Sequence, residues 1–196
     1  MTPVSRDAAG GDPGVADAST GLDPADPTDQ TDPTALVIAE LTRRGLRIAV
    51  AESLTGGLVT AELTRIPGAS LAVSGGVVAY DTAVKASVLG VDRALLAREG
   101  AVHPEVARQM ATGVAAALAV DGRPADIGVA TTGVAGPDGQ DGHDPGTVFV
   151  GIAAFGEVEA VELALAGDRR EVRSATVRAA IDVVLARLHE HGAVAE

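Results

Sequence analysis

Three side chains in this 196-residue sequence could do chemistry together: Ser53, Tyr80 and Lys85. Tyr80 and Lys85 are the only tyrosine and the only lysine, five positions apart in "VVAYDTAVK". The other cations are fourteen arginines, and the other aromatic residues are Phe149 and Phe155. A serine hydroxyl is a weak nucleophile until a base takes its proton. Lysine serves as that base once burial or neighbouring cations bring its pKa toward neutrality, and a tyrosine hydroxyl can relay the proton. The four histidines offer little competition: His103 reads as a helix-start residue, His143 as a loop residue, and His189 and His191 as solvated groups near the chain's end. Cysteine is absent, which excludes thiolate nucleophiles, disulfides and cysteine-ligated metals. On spacing alone the plainer readings stay open and are the stronger ones. Ser53 would then be a helix cap, Tyr80 the end of a strand and Lys85 one solvated charge.

Ser53 sits in "AESLTGG", a strand end followed by Thr55, Gly56 and Gly57 at the start of a helix. Small residues there let a ligand approach the backbone, whose N–H groups can hold an anion or an oxyanion. No Gly-Lys-Ser/Thr follows, so this is not a phosphate-binding loop of the Walker type. A second candidate is "TTGVAGPDGQDGHDPGTV", in which Thr132 and Gly133 end a strand with donors for a phosphate or carboxylate. A flexible acidic connection is the equal alternative. Asp138, Asp141 and Asp144 lack the order of a calcium loop, so no metal is expected there. A third is "GDRREVR", where Asp168 is expected to cap the last helix and Arg169 starts it, able to point along the strand ends; surface charges are the plainer reading of these arginines. The Tyr/Lys pair does not match a short-chain dehydrogenase, because the spacing has one residue too many and no glycine-rich dinucleotide turn follows the first strand.

The elements that would position these residues alternate. Amphipathic helices are expected in "TALVIAELTRRG", "GGLVTAELTRIPG", "DTAVKASVLG", "HPEVARQMATGVAAALAV" and "DRREVRSATVRAAIDVVLARLHEH". Strands are expected in "LRIAVAES", "SGGVVAY" and "ADIGVATTG", followed by a hairpin of "GTVFVGIAAFG" and "EVEAVELALAG" turning across Phe155, Gly156 and Glu157. Helices alternating with apolar strands imply an α/β sheet covered on both faces, and the hairpin makes it mixed, with at least one antiparallel strand. Ligands in such sheets bind beyond the carboxyl ends of the strands, where "AESLTGG", "AYDTAVK" and "TTGVAGPDGQDGHDPGTV" lie.

Composition bounds the rest. With 46% hydrophobic residues the chain can bury one core, and one domain is expected from residue 34 to 196. Residues 1–33 carry seven Asp against Arg6 alone and lack periodic apolar spacing, so a disordered acidic tail is expected. No run approaches a membrane span and no secretory leader opens the chain, which makes a cytoplasmic protein the default expectation. The net charge of −12, without a basic stripe or stacking aromatics, argues against nucleic acid as a partner.

Taken in series, "AESLTGG", "GGVVAYDTAVK", "GAV", "TGVAGPDG", "GTV" and "GDRREVR" resemble the CinA C-terminal domain family of nicotinamide-nucleotide amidohydrolases, over roughly residues 35–188. The resemblance implies a three-layer α/β/α domain, often dimeric. It also implies hydrolysis of the carboxamide of nicotinamide mononucleotide to nicotinic acid mononucleotide and ammonia, with no cofactor. By similarity, Ser53 falls on the nucleophile, Tyr80 and Lys85 on the groups that activate it, and Thr132 and Arg169 on substrate or phosphate contacts. Combined with the turn at Thr55, Gly56 and Gly57 as oxyanion donors, this gives a complete amidase site. Two departures stand out: His143 replaces a lysine common in the family, and Leu54 stands where cysteine is common. The fusion to a nucleotide-pyrophosphatase-like domain frequent in the family is not expected here. The competing reading is a non-catalytic nucleotide-binding or regulatory module that keeps the pocket without turnover. A plain interaction domain comes third and requires Tyr80 and Lys85 to point away from Ser53.

Overall fold

The computed structural model describes residues 32–193. The expected acidic tail falls outside them, except for Asp32 and Pro33. Asp32 caps α1 (Pro33–Arg44), its side chain accepting from the Thr34 N–H, and Pro33 occupies the first turn, where a missing N–H costs nothing. After β1 (Ile48–Glu52) and α2 (Leu58–Thr64) the chain passes through a short 3₁₀ turn into β2 (Val73–Val78). Then come α3 (Thr82–Leu89), α4 (Arg93–Glu99), α5 (Pro104–Ala117), β3 (Ile127–Gly133), β4 (Thr147–Ala154), β5 (Glu157–Ala164) and α6 (Arg169–Ala193). Among the described residues, no helix is long and apolar enough to cross a membrane.

The five strands form one sheet in the order β2-β1-β3-β4-β5. β1 pairs in parallel with β2 and β3, while β4 runs antiparallel to both β3 and β5. β4 is therefore the single strand that opposes the others, and the expected mixed, mostly parallel sheet is what forms. The β4–β5 turn is tighter than expected, with Glu157 already in the strand. Phe155 and Gly156 both take positive φ, the pattern of a two-residue hairpin turn. Phenylalanine is an unusual residue for that conformation. Its ring is held by stacking on His191 at 3.7 Å and by the Arg44 guanidinium 5.2 Å from its centroid, so His191 is engaged rather than merely solvated.

Alternation along β1 sorts the core into two faces. Ile48 and Val50 join Val37 and Leu41 of α1, Leu63 of α2 and Ile181 and Leu188 of α6 on one side. Ala49 and Ala51 face Val106, Met110 and Val114 of α5 on the other. The three-layer α/β/α architecture follows. Small residues on the second face let α5 lie almost on the sheet: a Cβ on Gly128 would sit 2.0 Å from the Ala111 carbonyl, and one on Gly151 2.2 Å from that of Ala107. This close approach fixes where α5 begins, and with it the 100–102 loop above the strand ends.

α4 is absent from the elements expected from the sequence. The signals were present, with the Asp92 side chain accepting the Ala94 N–H as a cap and Gly100 ending the helix. Its seven residues bury only Leu95 fully, too little for an apolar period to show.

Candidate active site

β1 is buried along its whole length between β2 and β3. Parallel pairing brings the carboxyl ends of all three to one edge, where the Ala79 N–H donates to the Glu52 carbonyl and the Ser53 N–H to that of Thr131. A cavity of about 300 Å³ opens there, lined by Ser53, Leu54, Tyr80, the 101–102 and 132–140 segments and Arg169. That is at the low end for small-ligand sites, roughly 300–1,000 Å³.

Lys85 is 1% exposed, and it is the largest fully buried side chain among the described residues. Asp81 caps α3 by accepting the Ala83 N–H at 2.7 Å, and helix geometry tilts the Lys85 side chain back toward that end. Its Nζ donates to the Ala79 carbonyl at 2.7 Å and lies 3.0 Å from Ser53 Oγ. Burial pushes the amine down from its ordinary 10.5 to about 8, against the opposing pull of the Asp81 and Asp141 carboxylates. An amine in this state has one N–H for the carbonyl and, once deprotonated, a lone pair for the serine proton. None of the four histidines lines the cavity.

Tyr80 does not join this pair. It is 62% exposed, and its hydroxyl accepts from Arg169 at 3.0 Å. Arg169 also donates to the Gly136 carbonyl at 3.0 Å. Together they bridge the cavity mouth, from the end of β2 to the start of α6. Arg169 is oriented by the expected cap: Asp168 accepts the Glu171 N–H while Glu171 accepts the Asp168 N–H, a reciprocal capping box. Thr132 lines the floor and donates its hydroxyl to the Ala101 carbonyl at 2.7 Å. Gly133 also lines it, where a Cβ would come within 2.6 Å of the Thr147 carbonyl.

Thr55, Gly56 and Gly57 lie behind the serine and outside the cavity lining. Thr55 is fully buried, its hydroxyl 2.7 Å from that of Thr131. The Gly57 N–H is taken by Glu52, a residue the sequence reading passed over. The fully buried Glu52 carboxylate accepts from Gly57, Val59 and Thr60 N–H groups at 2.8–3.0 Å and from the Thr60 hydroxyl at 2.7 Å. It thus fills the start of α2, the place where an oxyanion was expected. Arg173 was missed as well. It donates to the Leu54 and Thr55 carbonyls at 2.9 and 2.8 Å and closes the turn from α6. Its place four residues after Arg169, on the same helical face, was the available signal. Among the described residues, the N–H groups of Leu54, Ala135 and Gly136 make no protein hydrogen bond, and all three residues line the cavity.

A family model described as the CinA C-terminal domain matches residues 30–188. The chain belongs to this family. A CinA-like protein of Frankia casuarinae is 46% identical over 149 residues, 76% of this chain and 33% of that protein. One from Gemmatimonas aurantiaca is 44% identical over 152 residues, 77% of this chain and 34% of the relative. The chain thus spans about a third of the length of these curated relatives. Among solved structures, the competence damage-inducible protein A (ComA) of Klebsiella pneumoniae superposes with a TM-score of 0.75 at 35% identity, covering 80% of this chain and 95% of that one. The competence/damage inducible protein CihA of Agrobacterium tumefaciens gives 0.72 at 37% identity, with the same coverage.

The two departures from the CinA pattern noted in the sequence fall differently. Leu54 packs with Ala135, Val148 and Val172 in a small apolar cluster under the cavity. His143 lies outside the lining, edge-on to Phe149 at 6.2 Å, so a cation at that position would have to reach the cavity from behind the 138–143 hairpin.

Proposed function

We propose that this chain is a serine amidase that hydrolyses the carboxamide of nicotinamide mononucleotide, releasing nicotinic acid mononucleotide and ammonia in cytoplasmic pyridine nucleotide salvage. The observation that carries the reading is the 3.0 Å approach of a buried, readily deprotonated Lys85 to Ser53 Oγ. Neutral Lys85 takes the hydroxyl proton as Oγ attacks the carboxamide carbon. The oxyanion falls to N–H donors lining the cavity, foremost that of Leu54, with Ala135 and Gly136 across from it. Collapse breaks the C–N bond, Lys85 returns the proton to the leaving nitrogen, and ammonia departs. Water then attacks the acyl ester and gives a proton to Lys85, which passes it to the departing Ser53 Oγ as the carboxylic acid is freed.

Direct transfer to Lys85 makes a Tyr80 relay unnecessary. Tyr80 and Arg169 instead suit the substrate, offering an aromatic face to the cationic pyridine ring and a guanidinium to the phosphate. Thr132 and Gly133 form the floor on which the ring rests. Thr55, Gly56 and Gly57 serve by holding the turn. Ser53, Lys85, backbone donors and water suffice for the chemistry as written, without a cofactor. The Lys85–Ser53 pairing favours turnover over a module that only binds nucleotide, since desolvating an amine against a hydroxyl contributes nothing to binding. A homodimer is part of the proposal: β2 is an open sheet edge with no charged residue, flanked by exposed Leu71 (65%), Val78 (50%) and Tyr80.

The test is ammonia release from nicotinamide mononucleotide. The wild-type protein should release it, while folded Ser53→Ala and Lys85→Ala variants should not. Activity retained by Ser53→Ala would overturn the covalent route, and an inert wild type would overturn the reaction itself.

A further inference from the structure

One polar contact at the cavity belongs to none of these steps. Asp141 sits at the tip of the 138–143 hairpin, where Gln140 and His143 exchange both backbone hydrogen bonds and Asp141 and Gly142 take positive φ. Its Oδ2 accepts the Ala101 N–H at 2.7 Å and the Val102 N–H at 3.4 Å, with the Gln140 amide 3.5 Å away. Gly100 is shaped to receive it: a Cβ there would lie 2.4 Å from the Asp141 carboxyl carbon. Ala101 and Val102 line the cavity, and the Ala101 carbonyl is what the Thr132 hydroxyl bonds. A single carboxylate therefore links the hairpin, the loop before α5 and the cavity floor.

We propose that Asp141 is a positioning residue that fixes the 100–102 wall of the cavity from the tip of the hairpin. The inference rests on the amidase reading for its place in catalysis, but its physical content does not depend on turnover. Lys85 feels two carboxylates, Asp81 from the cap of its own helix and Asp141 from the hairpin, both favouring the ammonium against burial. Ser53 faces it from β1, and Tyr80, Asp138 and Arg169 stand at the cavity. Removing Asp141 leaves Asp81 as the one named counter-charge, so the amine deprotonates at lower pH.

Two variants separate the roles. Asp141→Asn keeps an acceptor and suits a positive-φ turn position, yet removes the charge. Asp141→Gly keeps the turn and removes both. Because Lys85 is the only lysine, ¹³Cε-lysine labelling gives one side-chain signal whose titration reports it alone. The midpoint should lie near 8 in the wild type and lower in both variants. Amide exchange at Ala101 should accelerate about ten-fold or more in Asp141→Gly and change little in Asp141→Asn. An unshifted or raised Lys85 midpoint overturns the claim that removing Asp141 lets the amine deprotonate at lower pH. Unchanged Ala101 exchange in Asp141→Gly overturns the positioning role. Neither readout uses substrate, so failure of the ammonia assay would leave both outcomes standing.

Discussion

Replacing Lys85 with methionine tests the electrostatics of the site without reference to any substrate. Burial lowers the amine from 10.5 to about 8. At 1.36 kcal/mol per unit, that gap corresponds to ~3 kcal/mol of folding free energy. Between these two values the unfolded chain holds a proton that the folded chain has released, so stability rises with pH across that window. Below about pH 8 both states are protonated and the folded state carries the whole penalty; above 10.5 neither is, and the penalty is gone. About 3 kcal/mol is therefore lost at pH 7 and only ~1 kcal/mol at pH 10. Methionine has similar bulk and no charge, so it escapes this term. It also forfeits the hydrogen bonds to Ala79 and Ser53, at a cost of ~1–3 kcal/mol that does not vary with pH. The net difference at one pH is thus small, but its change with pH is not. Relative to wild type, Lys85→Met should lose ~2 kcal/mol of advantage between pH 7 and pH 10. Urea unfolding of both proteins at each pH measures it, with all other titrating groups common to both. A constant difference across the range would refute the claim that Lys85 is held partly deprotonated by burial.

Glu52→Gln turns one of two fully engaged oxygens into a donor facing N–H groups; urea unfolding should show a loss of ~2–3 kcal/mol, and equal stability would sink the capping role. Arg173→Ala releases the Leu54 and Thr55 carbonyls, so kcat for ammonia release should fall about ten-fold with KM little changed. A KM effect alone would place Arg173 on the substrate instead. Val78→Lys puts a charge on the open β2 edge, and sedimentation should then report a monomer in place of the proposed wild-type dimer. A dimer that survives the lysine lies elsewhere.

What the sequence disclosed and what it withheld have separate physical causes. Strands and long helices were legible because burial on one or both faces imposes a period, as in β1 and α5. Short α4 was not, because one buried leucine makes no period. At the site, Ser53 and Lys85 could be paired from residue chemistry and motif order. The roles of Glu52 and Arg173 could not, because each acts on backbone groups, and no side-chain type in the sequence names a backbone partner. Among the expected oxyanion donors, the Gly57 N–H is taken up for the same reason. A helix start after "TGG" advertises free N–H groups, and nothing in that stretch reveals that the preceding glutamate folds back over them.

The near-absence of lysine sharpens the case for position 85. Fourteen of the fifteen cations are arginine, and arginine serves where the described structure places a lasting positive charge: bridging Tyr80 and Gly136, holding the turn after Ser53, clamping Glu157 and Glu159 from α6. A guanidinium cannot act as a base, since it stays protonated at any pH at which the protein is folded. A deeply buried cation with no carboxylate in contact is the one environment in which arginine would be worst, because it could shed neither its charge nor its desolvation penalty. Lys85 occupies that environment, and its two hydrogen-bond partners are a carbonyl and a serine hydroxyl. Such surroundings leave an ammonium with no carboxylate in contact and, on the proposed mechanism, let a neutral amine exchange a proton with Ser53. A lysine retained for structure alone would be expected on the surface or beside an acid. This one is neither, as the proposed role of Lys85 as a base requires.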